Sequence, residues 1–408
     1  MAILSVKEAD LKDKRVLFRP DINSPIDPVT KKIVSVNRLQ KMAVTLKYLL
    51  DNGAKVGIIA HQGDTLDYQN LIPMEEHASY LSKYAGYSVK YIDDVCGPSA
   101  VEAVRNLQDG EAVLLGNVRY LTEEVSSFEK EVKLTPKEMR DTWIVRRLAP
   151  LFDLYVNDAF SAAHRACPSM IAFEEKLPSY AGFQFFNEIS ALKKVMEQPV
   201  HPSVFVLGGA KISDAFSMMG NVLQTGIADR ILTCGVTANV FLMATGVDLG
   251  NANEKFLADR DLLEFVPQAK ALSEKWGSRI ELAKDLAYEE DGQRKECQIS
   301  QVPKDKLFKD VGSNTAQCYA KIIASAASVF VNGPAGCYEE TLFSHGTKTI
   351  WSAIQKSKGY TVIGGGDTVS AAQHLTGLEG YGYVCTAGGA MVRFLSGKRL
   401  PLLVAMER

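Results

Sequence analysis

Residues 204–214 read VFVLGGAKISD: a short apolar run, two glycines, a lysine, and then the polar opening of a helical pattern that ends near Gly226. An apolar run of this length halted by glycine reads as a buried strand ending in a tight turn. The unit therefore predicts strand, turn, helix. The same unit recurs in both directions along the chain. Downstream, strand-like runs lie at 230–233, 279–282, 329–331, 361–363 and 383–384, with a helix running through Leu242. Upstream, Leu39, Met42, Ala43, Leu46 and Leu50 recur at helical spacing, with Gly53 as a C-cap before the run KVGIIA (55–60). Helices at 74–85 and 136–151 and strands at 89–92, 112–115 and 154–156 continue the cycle.

Strands that alternate with helices form parallel sheets covered on both faces, an α/β architecture. These are more strands than one doubly wound sheet normally holds, and 408 residues at about 150 per domain allow two or three domains. The expectation is two doubly wound parallel-sheet domains facing each other across a cleft: 1–186, a polar helical hinge at 187–199 closed by Pro199 and Pro202, and 200–393. The charged run EEDGQRKE (289–296) reads as a solvated hairpin loop.

Composition narrows the function classes. Lys and Arg total 46 against 48 Asp and Glu, a net charge of −2, so no global field draws nucleic acid or an anionic membrane. Charges at Lys7, Glu8 and Asp10 exclude a signal peptide, and no apolar run reaches the roughly 18 residues of a membrane span. Seven scattered cysteines without a CxxC pair argue against a disulfide framework or a zinc site and point to the cytoplasm.

Ligands of open parallel sheets bind beyond the carboxyl ends of the strands. In the first half those ends carry Arg19-Pro20-Asp21-Ile22-Asn23, His61-Gln62-Gly63-Asp64, Asn117-Val118-Arg119 and Asn157-Asp158, with His164-Arg165 close behind. In the second half they carry Gly208-Gly209-Ala210-Lys211, Cys234-Gly235, Asn332-Gly333-Pro334, Gly364-Gly365-Gly366-Asp367-Thr368 and Thr386-Ala387-Gly388-Gly389. Glycine lets backbone amides approach a phosphate, and a helix N-terminus adds donors and a favourable dipole. Taken singly, GGGDT is equally a tight turn and His61 a structural histidine; the set points to phosphate. No GxxxxGK[ST], HExxH or GxSxG occurs, and no GxGxxG follows the first strand. Cationic ends in one half and glycine-rich ends in the other imply phosphoryl transfer, which needs positioning and charge neutralisation more than a base.

At these residues the sequence resembles the phosphoglycerate kinase family over essentially its full length. RPDINSP (19–25), NVRY (117–120), VNDAFSAAHR (156–165), GGAKISD (208–214), VNGPAG (331–336), GGGDT (364–368) and TAGGA (386–390) are similar to its signatures, in order, and INSPIDP (22–28) looks closer to its archaeal branch than to its bacterial and eukaryotic one. The resemblance implies a hinge-bending cytoplasmic kinase of glycolysis or gluconeogenesis, a monomer with no nucleic-acid or membrane partner. It would move a phosphoryl group between 1,3-bisphosphoglycerate with ADP and 3-phosphoglycerate with ATP. It assigns the acid to Asp21, Asn23, Arg38, His61, Arg119 and Arg165, with Arg38 also reaching the phosphoryl in flight. Lys211 and the amides of Gly365 and Gly388 would stabilise that group from the nucleotide side. Nucleotide contacts fall to Gly208, Lys211, Gly235, Asn332, Glu339, Gly364, Gly365, Gly366, Asp367 and Thr368, with Asp367 organising Mg²⁺ on the phosphates. The tail 394–408 would return to the first domain.

Four positions depart from the family's pattern. Asp64 stands where an arginine is usual, Gly116 where a glutamate is usual, Ala215 where a lysine is common, and Ala387 opens the last glycine triplet. They keep two alternatives open: a related kinase for another carboxylic acid, and a catalytically silent nucleotide-binding protein.

Overall fold

The computed structural model describes residues 3–63 and 71–407, so Asp64 lies outside the described residues. Contacts divide the chain into two compact units: Met1–Ile189 with Arg399–Arg408, and Ser190–Lys398. The division falls inside the helix Phe183–Glu197, which overlaps the helical hinge expected at 187–199. Among the described residues, no helix is long and apolar enough to cross a membrane.

The first unit is built on strands β1 (Arg15–Pro20), β2 (Lys55–Ile58), β3 (Val89–Tyr91), β4 (Ala112–Leu114), β5 (Leu154–Asp158) and β6 (Ser179–Ala181). They form one sheet in the order β3-β4-β2-β1-β5-β6, and every neighbouring pair is parallel. Val16, Leu17 and Phe18 are fully buried because helices cover both faces, which is why the strands read as continuous apolar runs. Leu39, Leu46 and Leu49 of the helix Asn37–Asp51 join Val16, Phe18, Val56 and Ile58 in one core. The chain leaves β1 toward β2 but leaves β4 toward β5 on the other side. The winding direction thus reverses between β1 and β5, and a crevice opens at their carboxyl ends.

The second unit repeats the plan with β7 (Ser203–Leu207), β8 (Arg230–Thr233), β9 (Ile280–Glu281), β10 (Asp285–Glu290), β11 (Gln293–Gln298), β12 (Phe308–Val311), β13 (Ser328–Asn332), β14 (Tyr360–Gly364) and β15 (Tyr383–Cys385). Its main sheet is parallel in the order β15-β14-β13-β7-β8-β9, with the reversal between β13 and β7. The two doubly wound parallel sheets are those implied by the alternation of strands and helices.

Two local expectations are corrected. Residues 289–296 form the expected hairpin and are mostly exposed, but as strand rather than loop: they end β10 and begin β11 of a small antiparallel sheet, β11-β10-β12, joined at Asp291-Gly292. Both turn residues have positive φ, +52° and +70°, the geometry of a two-residue hairpin turn. The helix expected over 136–151 breaks into Pro136–Met139, Trp143–Leu148 and a short turn Ala149–Leu151. Glu123 causes the break, since its carboxylate accepts from the amides of Trp143 and Ile144 and starts a new helix there.

Candidate active site

At the crevice of the first unit the polar strand ends converge. Asp21, just past β1, accepts from Arg38 Nη1 at 2.5 Å and from the Ser161 hydroxyl beyond β5. Arg38 lies in the first turn of its helix, an unfavourable place for a cation that Asp21 offsets. Asn23 Oδ1 accepts from the Gly63 amide at 3.0 Å, joining the loops after β1 and β2. Arg19, buried on β1, donates from Nη2 to His61 Nδ1 at 3.0 Å. A guanidinium cannot accept, so Nδ1 accepts and the His61 proton sits on Nε2. Burial, then the charges of Arg19, Arg119, Arg38 and Arg165, push His61 well below the ordinary histidine range and keep it neutral.

Carboxylates only partly balance these cations. Glu129 clamps Arg165 at 2.6 Å, and buried Glu124 accepts from the Ser169 hydroxyl, to which Arg19 Nε also donates. Arg119 Nη1 is buried with no hydrogen-bond partner, beside the repelling charge of Arg165. A buried charged donor left unpaired is costly unless a ligand completes it. An anion is the ligand whose charge would complete it. Behind His61, Gln62 Oε1 accepts from the Ser24 amide at 2.8 Å and from His77 Nε2 at 2.9 Å, which locks the β2 loop. Burial lowers the His77 pKa to about 4.

In the second unit the turns after β7, β8, β13 and β14 are tied directly to one another. The amides of Gly208, Gly209 and Gly235 donate to the carbonyls of Asn332, Pro334 and Ala335 at 2.9, 2.8 and 3.0 Å. The Gly333 amide donates to Thr368 Oγ1 at 2.7 Å, and Asn332 Nδ2 to the Gly364 carbonyl at 2.9 Å. The side chains of Asn332 and Thr368 thus brace the loops, and what Thr368 can offer a phosphate is its backbone amide. Gly365, at φ +95°, caps the helix Gly366–Leu375, whose first amides have no acceptor within the helix. Lys211 Nζ stands 3.8 Å from Asp367 Oδ2, and both side chains are exposed. Next to them lies a cavity of about 370 Å³ lined by Gly209, Gly235, Glu339 and Asp367, with apolar walls from Val236, Leu286, Phe308 and Val311.

The expected residues thus form two sets: Asp21, Asn23, Arg38, His61, Arg119 and Arg165 in the first unit, and Gly208, Lys211, Gly235, Asn332, Glu339, Gly364, Gly365, Gly366, Asp367 and Thr368 in the second. Gly388 opens the helix Gly388–Leu395 beyond the edge strand β15, and it does not line the cavity. Arg19, Glu124, Glu129 and Ser161 complete the first site; the sequence placed Arg19 at a strand end but assigned none of the four a role. Of the four departures, Gly116 is closely packed: a Cβ there would meet the Asp94–Val95 backbone at 3.1 Å. Ala215 is buried on the apolar face of the helix Ile212–Gln224. Ala387 has φ −94°, which needs no glycine.

A family model described as phosphoglycerate kinase matches residues 6–398. The phosphoglycerate kinase of Methanothermus fervidus is 40% identical over 403 residues, spanning 99% of this chain and 96% of that protein. That of Sulfolobus acidocaldarius is 35% identical over 411 residues, spanning 100% and 96%. The crystal structure of phosphoglycerate kinase from Pyrococcus horikoshii OT3 is similar with a TM-score of 0.89 at 34% identity, covering 99% of this chain and 98% of that one. The enzyme from Coxiella burnetii gives 0.84 at 29%, covering 100% and 99%. With strand-end chemistry, topology and sequence in agreement along the whole length, the chain belongs to the phosphoglycerate kinase family.

Proposed function

We propose that the first unit holds 3-phosphoglycerate, that the second holds ATP or ADP, and that the phosphoryl group passes reversibly between the acid's carboxylate and the nucleotide. The observation that carries this reading is the division of donors. Arginines converge on a neutral His61 in one unit, while in the other the glycine turns at Gly209 and Gly235 and Asp367 line a cavity, with Lys211 Nζ 3.8 Å from Asp367. The attacking carboxylate is already ionised at neutral pH, so no general base is needed. Catalysis then reduces to alignment and to neutralising charge on the moving phosphoryl oxygens.

In this reading Arg119, Arg165 and the Nε2–H of His61 hold the acid, with Asp21 and Asn23 ordering the loops around it. Arg38, 42% exposed and held by Asp21 alone, is the arginine able to turn toward the phosphoryl group. Lys211, loosely held by Asp367, neutralises the same charge from the nucleotide side, aided by the amides of Gly365 and Gly388. Among the described residues no group of three or more His, Cys, Asp or Glu could hold a metal. Mg²⁺ commonly takes one or two carboxylates plus substrate phosphates, and Asp367 beside the phosphate loops fits that habit. When bound, the ion supplies charge neutralisation on the nucleotide phosphates. Because the two donor sets belong to different units, the proposal includes closure of the units during turnover. All seven cysteines are free thiols, which supports a reducing compartment such as the cytoplasm.

The test is a coupled assay of ADP release from Mg-ATP with 3-phosphoglycerate as acceptor. Acid-dependent turnover on the order of 1–1,000 per second is expected. ATP binding without acid-dependent ADP release would overturn the reading.

A further inference from the structure

In the first unit the loops that carry His61 and Arg119 are joined through one buried polar residue, Gln62. Its carboxamide grips the backbone of Ser24 from both sides: Oε1 accepts from the Ser24 amide at 2.8 Å, and Nε2 donates to the Ser24 carbonyl at 3.0 Å. Two backbone partners of opposite kind fix which end of the carboxamide is which. Oε1 is therefore also the acceptor toward His77 at 2.9 Å, and the His77 proton sits on Nε2. His77 is fully buried on the inner face of the helix Glu75–Ala85, with Ala78, Leu81 and Ala85, and its Nδ1 has no hydrogen-bond partner. A polar ring on so apolar a face is costly, and the bond to Gln62 is what offsets it. The backbone of Gln62 is gripped in turn. Its amide donates to Asn117 Oδ1 at 3.2 Å, and its carbonyl accepts from Asn117 Nδ2 at 2.8 Å. Asn117 is fully buried, and the same Oδ1 accepts from the Arg119 amide at 3.1 Å. One oxygen atom thus ties the amide that follows His61 to the amide of Arg119.

We propose that Gln62 is a positioning residue for the acid, setting with Asn117 the spacing between the Nε2–H of His61 and the guanidinium of Arg119. This rests on the assignment of the acid to the first unit given above. The two donors stand on separate loops, after β2 and after β4, and neither loop is held by the sheet beyond its strand end. Hydrogen bonds to an anion weaken steeply as donors move out of line, so the joint hold of His61 and Arg119 depends on how firmly the loops are fastened. Gln62 fastens them twice: its side chain pins the loop after β1 at Ser24, and its backbone is pinned by Asn117. It acts through these neighbours, and His77 supports it from behind.

The experiment measures binding of 3-phosphoglycerate and of Mg-ATP by calorimetry, initial rates and Tm with the full chain. It compares wild type, Gln62→Leu, Gln62→Glu and a core control, Val104→Ala. Gln62→Leu leaves the Ser24 amide and carbonyl and the His77 Nε2–H without partners. It should weaken 3-phosphoglycerate on the order of 10-fold, with KM for the acid rising by a similar factor. Affinity for ATP and kcat should stay within about 2-fold. Gln62→Glu keeps the acceptor for Ser24 and His77 but loses the donor, so it should fall between, and it serves if the leucine variant does not fold. Val104 is fully buried on the helix Pro98–Arg105, outside these loops. Its truncation should lower Tm and leave acid affinity as in wild type. Acid affinity that both Gln62 variants leave unchanged overturns the proposal. So does an equal loss of acid affinity in Val104→Ala, which would trace the effect to stability alone. Both results leave the acid reading standing, whereas a wild type that binds no 3-phosphoglycerate overturns that reading and the proposal together.

Discussion

Gly333→Ala probes the junction on which the nucleotide site is built. Gly333 sits at φ +90°, and a Cβ there would lie 2.1 Å from the Gly208 carbonyl oxygen and 2.3 Å from its carbon. Both atoms are backbone, so no side chain can rotate away. Holding a non-glycine residue in such a conformation costs about 1–3 kcal/mol. Forcing atoms into filled space adds about 1–3 kcal/mol. For a unit of roughly this size the combined strain should lower Tm by at least about 4 °C. The relief available is to push apart the turns after β7 and β13. Those turns carry Gly208 and Gly209 and are braced by the Gly333–Thr368 hydrogen bond. Nucleotide affinity should fall with stability. Binding of 3-phosphoglycerate, in the other unit, should stay within about 2-fold, as distant independent sites do. Thermal unfolding and separate calorimetric titrations of the two ligands check this. A variant with unchanged Tm and unchanged ATP affinity would refute the claim that these turns share one packed junction. Equal loss of acid binding would refute the separation of the sites.

Lys211→Ala should lower kcat by on the order of 100-fold or more, as loss of a charge-stabilising donor does, with little change in KM for the acid; an effect confined to KM would contradict its role. Arg119→Ala should do the reverse, weakening 3-phosphoglycerate about 10-fold or more for one lost charged hydrogen bond, as initial-rate kinetics would show. Acid stability reports on His77. Its folded pKa, about 4, lies below its ordinary value of 6.5, so under acid the unfolded chain takes up a proton that the folded chain refuses. That stability is whole above about pH 6.5 and drains as pH falls toward 4, by roughly 2 kcal/mol between pH 7 and 5. Tm measured across that window should fall less in His77→Gln than in wild type; parallel curves would show that His77 does not contribute.

The strands were legible because parallel strands buried on both faces leave continuous apolar runs, and their ends because glycine and charge cannot continue such runs. Val204–Leu207 followed by Gly208-Gly209 shows both signals at once. What was not legible depends on pairing across distance. Arg19 reads as a cation at the end of β1, but only the alignment of β1 with β2, Phe18 opposite Ile58, brings it to His61. Glu129 finds Arg165 across 36 residues, and Glu123 breaks a helix that begins 13 residues later by capping amides at 143 and 144. The hairpin over 289–296 was legible, but its charges hid that the residues on either side of Asp291-Gly292 are paired strand rather than loop. Arg294 there is largely buried because Asp310 and the carbonyls of Leu342 and Val311 receive it.

The central claim is that two donor sets in separate units act on one phosphoryl group. Small-angle scattering with no ligand, with 3-phosphoglycerate, with Mg-ADP and with both tests it most directly. A radius of gyration that is smallest with both ligands present is the expected result, since only then do both sets have charge to close upon. Curves identical in all four conditions would contradict it.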